Sequence, residues 1–128
     1  MGVASLPFEL DRDEIRSSGV PARSVHGVVH VQTTALVIEF ALEGPGTGDT
    51  AHSVTVPLPC VREVSMTGGA VKSPRLLIEV SNDDVLSAIP WAAGAQCMLR
   101  FRRADGQRLR ELIEEIEVRL AEVRTRAD

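Results

Sequence analysis

The sequence predicts a mainly β domain of the α+β class, with an antiparallel sheet and one amphipathic helix at its C-terminal end. Short segments of alternating apolar and polar residues, rich in valine, fill residues 24–103 and are typical of strands. From about residue 106 the apolar residues recur every three or four positions, which is the period of a helix. The sequence shows no strand–helix–strand alternation, so about six or seven short strands followed by a helix favour an antiparallel sheet.

Two strands are predicted in residues 24–42, because this stretch is too long for one strand. A hairpin bend near Gln32–Thr34 joins them. Every second residue along both strands faces inward: Val25, Gly27, Val29, Val31, Leu36, Ile38, Phe40 and Leu42. Residues 43–51, EGPGTGDTA, form a loop because glycine and proline recur there.

The next alternating segment is residues 52–58, HSVTVPL. Pro57 and Pro59 place this strand at a sheet edge or end it, since proline cannot donate to a strand ladder. Residues 81–94 are irregular, with Asp83 and Asp84 at a turn or cap. Three further segments are predicted as strands: residues 61–66, 75–80 and 96–103.

The helix is predicted over residues 106–124. Its apolar stripe consists of Leu109, Leu112, Ile113, Ile116, Leu120 and Val123. Asp105 is a suitable N-cap, and Glu115 and Arg119 form an i,i+4 pair in the favourable order. Val118 lies off the stripe, on the side expected to face solvent.

Residues 1–23 are predicted to be an N-terminal leader, and residues 24–128 one domain. The leader carries four acidic residues: Glu9, Asp11, Asp13 and Glu14. A short helix near residues 9–17 and a mobile arm are both compatible with it. The leader has no basic segment followed by an apolar one, and no apolar run in the chain approaches the ~20 residues of a membrane span. We therefore expect a cytoplasmic protein.

The composition argues against binding of nucleic acid. The formal net charge is −4 and aromatic residues make up only 3% of the chain, whereas nucleic-acid surfaces are basic and often carry exposed rings. Two cysteines, Cys60 and Cys97, are too few for a disulfide framework or a cysteine-rich metal site. Buried thiols are the expected state of both.

From about Ser24 to Arg124 the chain resembles a pleckstrin-homology-like domain of the bacterial and GRAM-related kind. The resemblance rests on GVVHV…LVIEFAL, VTVPLPCVREV, LLIEV and LRFRRADGQRLRELIEEI. It implies a bent antiparallel barrel of six to seven strands that is closed by the C-terminal helix. Lipid-binding members of this family carry basic residues in the loop between their first two strands. In the predicted strand order that loop is VQTTA, which has no basic residue.

No catalytic, cofactor or metal site is predicted. His26 and His30 fall on one strand, where four residues span ~13 Å, too far for a shared zinc ion with bonds of ~2 Å. The loop GPGTGD lacks the lysine and hydroxyl residue of a phosphate-binding loop. Cys97 lies on the inward face of its strand, where burial makes a thiol inert.

One basic cluster is a potential anion-binding site: Arg100, Arg102, Arg103, Arg108 and Arg110. Asp105 and nearby glutamates dilute its charge, so an exposed strand face is the favoured interpretation and lipid contact is not favoured. The leading hypothesis is a non-catalytic module that binds a protein or itself, most simply as a homodimer. In this hypothesis the acidic leader meets the arginines, and Pro7, Phe8 and Leu10 supply apolar contact. The alternatives are an anion- or lipid-binding domain, and a small-ligand protein or enzyme whose site is not visible in the sequence.

Overall fold

The computed structural model describes residues 4–11, 15, 24–44, 51–68 and 72–127. The strands are β1 (Ser5–Asp11), β2 (Ser24–Val31), β3 (Ala35–Glu43), β4 (Ala51–Pro57), β5 (Val61–Thr67), β6 (Arg75–Val80) and β7 (Gln96–Arg100). One long helix, α1, spans Gly106–Ala127. Short 3-10 turns occupy Leu58–Cys60, Asp83–Leu86 and Arg103–Asp105.

The described strands form two antiparallel sheets, one with the order β1-β2-β3-β4 and one with the order β5-β6-β7. The predicted mainly β fold with one C-terminal helix is therefore confirmed. The strands do not form a closed barrel, so that finer expectation is not confirmed. The predicted hairpin bend at Gln32–Thr34 lies between β2 and β3, and β4 is an edge strand that ends at Pro57.

Part of the segment predicted to be a leader belongs to the first sheet. Ser5–Asp11 form β1, which pairs with β2 along its whole length. Leu6, Phe8 and Leu10 are buried in the core, because their side chains alternate toward it along the strand. The expectation of a helix near residues 9–17 is wrong for residues 9–11, whereas Ile15 is helical and fully buried. Most of residues 12–23, including Asp13 and Glu14, lie outside the described residues.

The C-terminal helix packs on the core through the predicted apolar stripe. Leu109, Leu112 and Ile116 are completely buried, while Val118 is 54% exposed on the opposite side. The predicted Glu115–Arg119 pair is present, with 3.0 Å between Arg119 Nη2 and Glu115 Oε1. In the described chain no helix is both long enough and apolar enough to cross a bilayer.

Asp105 precedes the helix as predicted, and its carboxylate is buried. Arg102 Nε donates to Asp105 Oδ2 at 3.1 Å. The expected role of Asp105 as the helix cap stays a prediction, since the hydrogen bond found for its carboxylate joins it to the preceding turn.

Residues 81–94 form an irregular segment, as predicted, yet they contribute to the core. Leu86, Ile89 and Trp91 are buried there. The Trp91 ring packs edge-on against Phe40, with 4.9 Å between ring centroids. The segment runs along the surface and inserts these three side chains into the core, and its 3-10 turn Asp83–Leu86 lies close to both β4 and β7.

Candidate interaction surface

Each sheet has two edge strands, and the hydrogen-bond register determines which backbone groups point away from the sheet. Residues of an antiparallel strand alternately direct their N–H and C=O groups toward one neighbour and then away from it. We call an edge capped where a side chain or another segment hydrogen-bonds the outward groups, or where proline removes a donor. Edges left uncapped are templates for pairing with another strand.

The β1 edge is capped. Val31 N donates to Ala4 O at 2.7 Å, and the continuing register directs the backbone groups of Pro7 and Glu9 away from β2. Pro7 has no N–H group to offer. Arg100 Nε donates to Glu9 O at 3.3 Å, so a side chain from the other sheet covers the edge.

The β7 edge is capped by the preceding segment. Trp91 Nε1 donates to Met98 O at 3.1 Å. Ala93 and Gln96 exchange two backbone hydrogen bonds, of 2.9 and 3.2 Å. The irregular residues 81–94 therefore bond to the outward side of β7.

The β5 edge is capped in part by the C-terminal helix. Arg124 Nη2 donates to Arg62 O at 3.0 Å and to Val61 O at 3.4 Å. The register of β5 and β6 also shifts between Val61 and Glu63, which is a bulge that disturbs regular pairing.

The β4 edge is different. Leu58 N donates to Thr34 O at 2.9 Å, and this register directs the backbone groups of Ala51, Ser53 and Thr55 away from β3. Within the described chain no residue hydrogen-bonds these outward groups. Their side chains are exposed, small and uncharged. These three residues are called the open edge of β4 below.

The predicted arginine cluster is divided by contacts within the chain. Arg100 bonds Glu9 O and approaches Asp11 Oδ2 at 3.4 Å. Arg102 pairs with Asp105. Opposite charges thus neutralise two of the five arginines, through Asp11 and Asp105.

The remaining three arginines do not gather into one site. Arg103 is exposed and is engaged within the chain. Arg108 and Arg110 are exposed on the first turn of α1, and no ion pair joins either of them to another described residue. A pair of solvated arginines is weaker than the several unopposed charges that a polybasic site needs.

The loop VQTTA is not the segment between the first two strands. The loop VQTTA joins β2 to β3, because the structure places β1 before the strand that the sequence analysis took as the first. The residues between β1 and β2 are 12–23, and they include Arg12, Arg16 and Arg23. All of them except Ile15 lie outside the described residues, and no site is assigned to them.

A histidine between two glutamates was missed by the sequence analysis. His26 Nδ1 is 3.4 Å from Glu9 Oε2, and His26 Nε2 is 3.2 Å from Glu43 Oε2. Ser24 Oγ lies 3.5 Å from His26 Nε2 but donates to Glu43 at 3.2 Å. The Ser24 hydroxyl therefore donates to the Glu43 carboxylate and not to the His26 imidazole, so these exposed groups do not have the serine–histidine arrangement of an activated nucleophile. Only the pairing of β1, β2 and β3 brings them together, so sequence spacing offered no signal.

The two histidines on β2 lie on its outer side, as predicted. His30 Nε2 is 3.3 Å from Glu39 Oε1, while His26 pairs with other glutamates. Within the described residues no group of three or more metal-ligating side chains is arranged to hold an ion. Surface ion pairs of this kind contribute little to stability, about 0–1 kcal/mol each.

Surface depressions on the described chain are open to solvent. One of about 240 Å³ lies beside β1 and Arg102, one of about 470 Å³ on the outer face of α1, and one of about 330 Å³ along residues 83–94. Small-molecule sites usually enclose most of their ligand. These shallow surfaces do not favour the small-ligand hypothesis.

Cys97 is expected to be unreactive in the native protein. Burial raises the pKa of the Cys97 thiol from 9.0 to about 12, and a hydrogen bond with Trp91 lowers it by less. Because the pKa is higher in the folded state, this thiol favours folding fully below about pH 9, and its contribution is lost as the pH rises toward 12. Cys60 is partly exposed, which corrects the expectation that both thiols are buried.

A disulfide reagent should therefore modify one thiol in the native chain at mildly alkaline pH and two after denaturation. Mass spectrometry of Cys60→Ser provides the control, since that variant should remain unmodified until it unfolds. Rapid modification of native Cys60→Ser would contradict the described burial of Cys97.

Comparisons of this chain with protein-family models, with curated proteins and with solved structures found no match. Function is therefore inferred from the geometry of the chain itself.

Proposed function

We propose that this chain is a non-catalytic protein-interaction module of pleckstrin-homology-like fold, and that the open edge of β4 is its binding surface. One observation carries the proposal. The edges of β1, β5 and β7 are each capped at least in part, by Arg100, Arg124 and Trp91, whereas all three outward-facing residues of β4, Ala51, Ser53 and Thr55, have no partner among the described residues. An edge of this kind offers backbone donors and acceptors to an extended partner strand.

The order of the elements supports the proposed fold. A sheet of four sequential strands, a second sheet of three and a C-terminal helix agree with the strand number implied by the resemblance. The apolar stripe of α1 packs on this core, with Leu112 and Ile116 fully buried. Packing two twisted sheets face to face leaves an open corner that an apolar helix can fill.

The chemistry of the open edge suits a partner that is bound through its main chain. In strand addition, backbone hydrogen bonds provide affinity, and pockets for alternate side chains provide selectivity. Ala51, Ser53 and Thr55 have short side chains that leave the backbone accessible. The surface should therefore recognise an extended, uncharged segment mainly through its main chain. It should discriminate little between different side chains on that segment.

The alternative of an anion- or lipid-binding domain has less support. Arg100 and Arg102 are paired with acidic groups within the chain. The positive charges of the remaining exposed arginines, such as Arg108 and Arg110, are offset by the negative charges of neighbouring glutamates on α1. Binding to anionic vesicles would require several unopposed positive charges on one face.

Site-specific photo-crosslinking tests the proposed surface. A photoreactive benzoylphenylalanine at Thr55 should form covalent adducts with a protein in cells that produce the chain. The same group at Thr67, an exposed residue of β5, is the matched control and should form few adducts. Equal yields at both positions, or no adduct at Thr55, would contradict the assignment of β4 as the binding edge.

A further inference from the structure

We infer that the partner of the open edge is the same strand of a second copy, with the two β4 strands antiparallel about a two-fold axis at Ser53. This inference rests on the proposed function and names the partner of that site. In this arrangement the two four-stranded sheets join into one continuous sheet across the axis.

The position of proline determines the register. Pro57 belongs to the same alternating set as Ala51, Ser53 and Thr55, so its backbone nitrogen also points away from β3. Because proline cannot donate, the ladder on this edge does not continue through Pro57, and the outward-facing described residues before it are Ala51, Ser53 and Thr55. Antiparallel pairing that uses all three places Ser53 opposite the partner's Ser53, and Ala51 opposite the partner's Thr55. About six backbone hydrogen bonds can form in that register.

The side chains are compatible with this self-pairing. Positions opposite each other across the axis hold only alanine, serine and threonine on the outer side, so no like charges meet and the two backbones can approach closely. On the other side His52 falls opposite the partner's Val54. His52 is stacked on Phe40 of its own chain, with 5.1 Å between ring centroids. A closed two-fold contact of this kind is the commonest form of self-association.

The structure removes the interface that the sequence suggested. Phe8 and Leu10 are buried within their own chain and supply no contact surface. Arg100 pairs with the Asp11 carboxylate of the same molecule and donates to the backbone oxygen of Glu9, so the Asp11–Arg100 attraction operates within one chain. Self-association is therefore assigned to β4 and not to Phe8 and Leu10.

Light scattering on paired charge variants tests the two-fold register. The intact chain should show about twice its monomer mass of 13.8 kDa at submillimolar concentration. Both Ser53→Lys and Ser53→Glu should be monomeric, because each places like charges directly opposite each other. A mixture of the two variants should recover the dimer mass, since lysine then faces glutamate. Thr67→Lys, with the same charge change at an exposed β5 position, should remain dimeric.

Amide hydrogen exchange provides a second readout that does not require a variant. The amides of Ala51, Ser53 and Thr55 should exchange more slowly as the chain concentration rises, while the neighbouring amides of Val54 and Val56 change little. A monomeric intact chain, a dimeric Ser53→Lys variant, or a mixture that fails to recover the dimer would overturn the inference. A monomeric intact chain that still crosslinks to another protein through Thr55 would overturn the inference and leave the proposed function standing.

Discussion

Gly27→Ala is expected to lower the free energy of unfolding by about 3 kcal/mol, the upper range for overpacking a core. A Cβ atom at this position of β2 would collide with the backbone oxygen of Glu39. It would also lie 2.6 Å from the Phe8 ring, which is buried directly opposite Gly27 in the β1–β2 pair. Neither neighbour can yield easily, because one is backbone within the sheet and the other is a packed aromatic ring. Chemical denaturation measures the loss.

Gly106→Ala is the matched control for this substitution. Gly106 has helical backbone angles, φ −55° and ψ −44°, and an added Cβ atom would meet nothing within 4 Å. Alanine should therefore stabilise the chain by about 0.5–1 kcal/mol. If Gly27→Ala unfolds at the same denaturant concentration as the parent chain, the described packing of the Phe8 ring against Gly27 would be contradicted.

Ile113→Asp is expected to destabilise the chain by several kcal/mol, on the order of 4. Ile113 is 9% exposed and lies between the fully buried Leu112 and Ile116 on the apolar side of α1. Aspartate there either loses its hydration or detaches the helix from both sheets. Since a typical domain is stable by about 5–15 kcal/mol, the variant should unfold well below the melting temperature of the parent.

Val118→Asp is the matched control for Ile113→Asp. It distinguishes the cost of burying a carboxylate from the low helix propensity of aspartate. It introduces the same carboxylate into the same helix, but Val118 is 54% exposed and lies off the stripe. The expected change is within about 0.5 kcal/mol. Comparable losses for the two variants by thermal or chemical denaturation would mean that α1 is not packed through its stripe.

Local sequence patterns predicted most of the elements. The hairpin bend at Gln32–Thr34, the edge position of β4 next to Pro57, and the apolar stripe of α1 all agree with the structure. These features depend on the chemistry of a few neighbouring residues: alternation for a strand, a missing N–H group for proline, and a period near 3.6 for a helix. The first strand was missed because Pro7 and the acidic residues of SLPFELD conceal a short alternation of buried residues.

That one omission had consequences for the functional hypothesis. With β1 unrecognised, Phe8 and Leu10 were interpreted as a contact surface, although they are core residues. The loop compared with lipid-binding relatives was also the wrong one, since VQTTA follows the second strand. Recognition of the Leu6–Phe8–Leu10 alternation would have corrected both conclusions.

The sequence by itself determined the strand-rich class, the C-terminal helix and the side of each element that is buried, because these depend on residue type and local period. Local spacing predicted the Glu115–Arg119 pair, but tertiary structure alone decided the pairing of charges distant in sequence and which edges are capped. Arg100 reaches Glu9 across 91 positions of the chain, and Arg124 reaches Arg62 across 62. Such contacts depend on the packing of the sheets and helix, and sequence spacing does not encode that packing. The open edge of β4 becomes visible only after the groups that cover parts of the other three edges have been located in the folded chain.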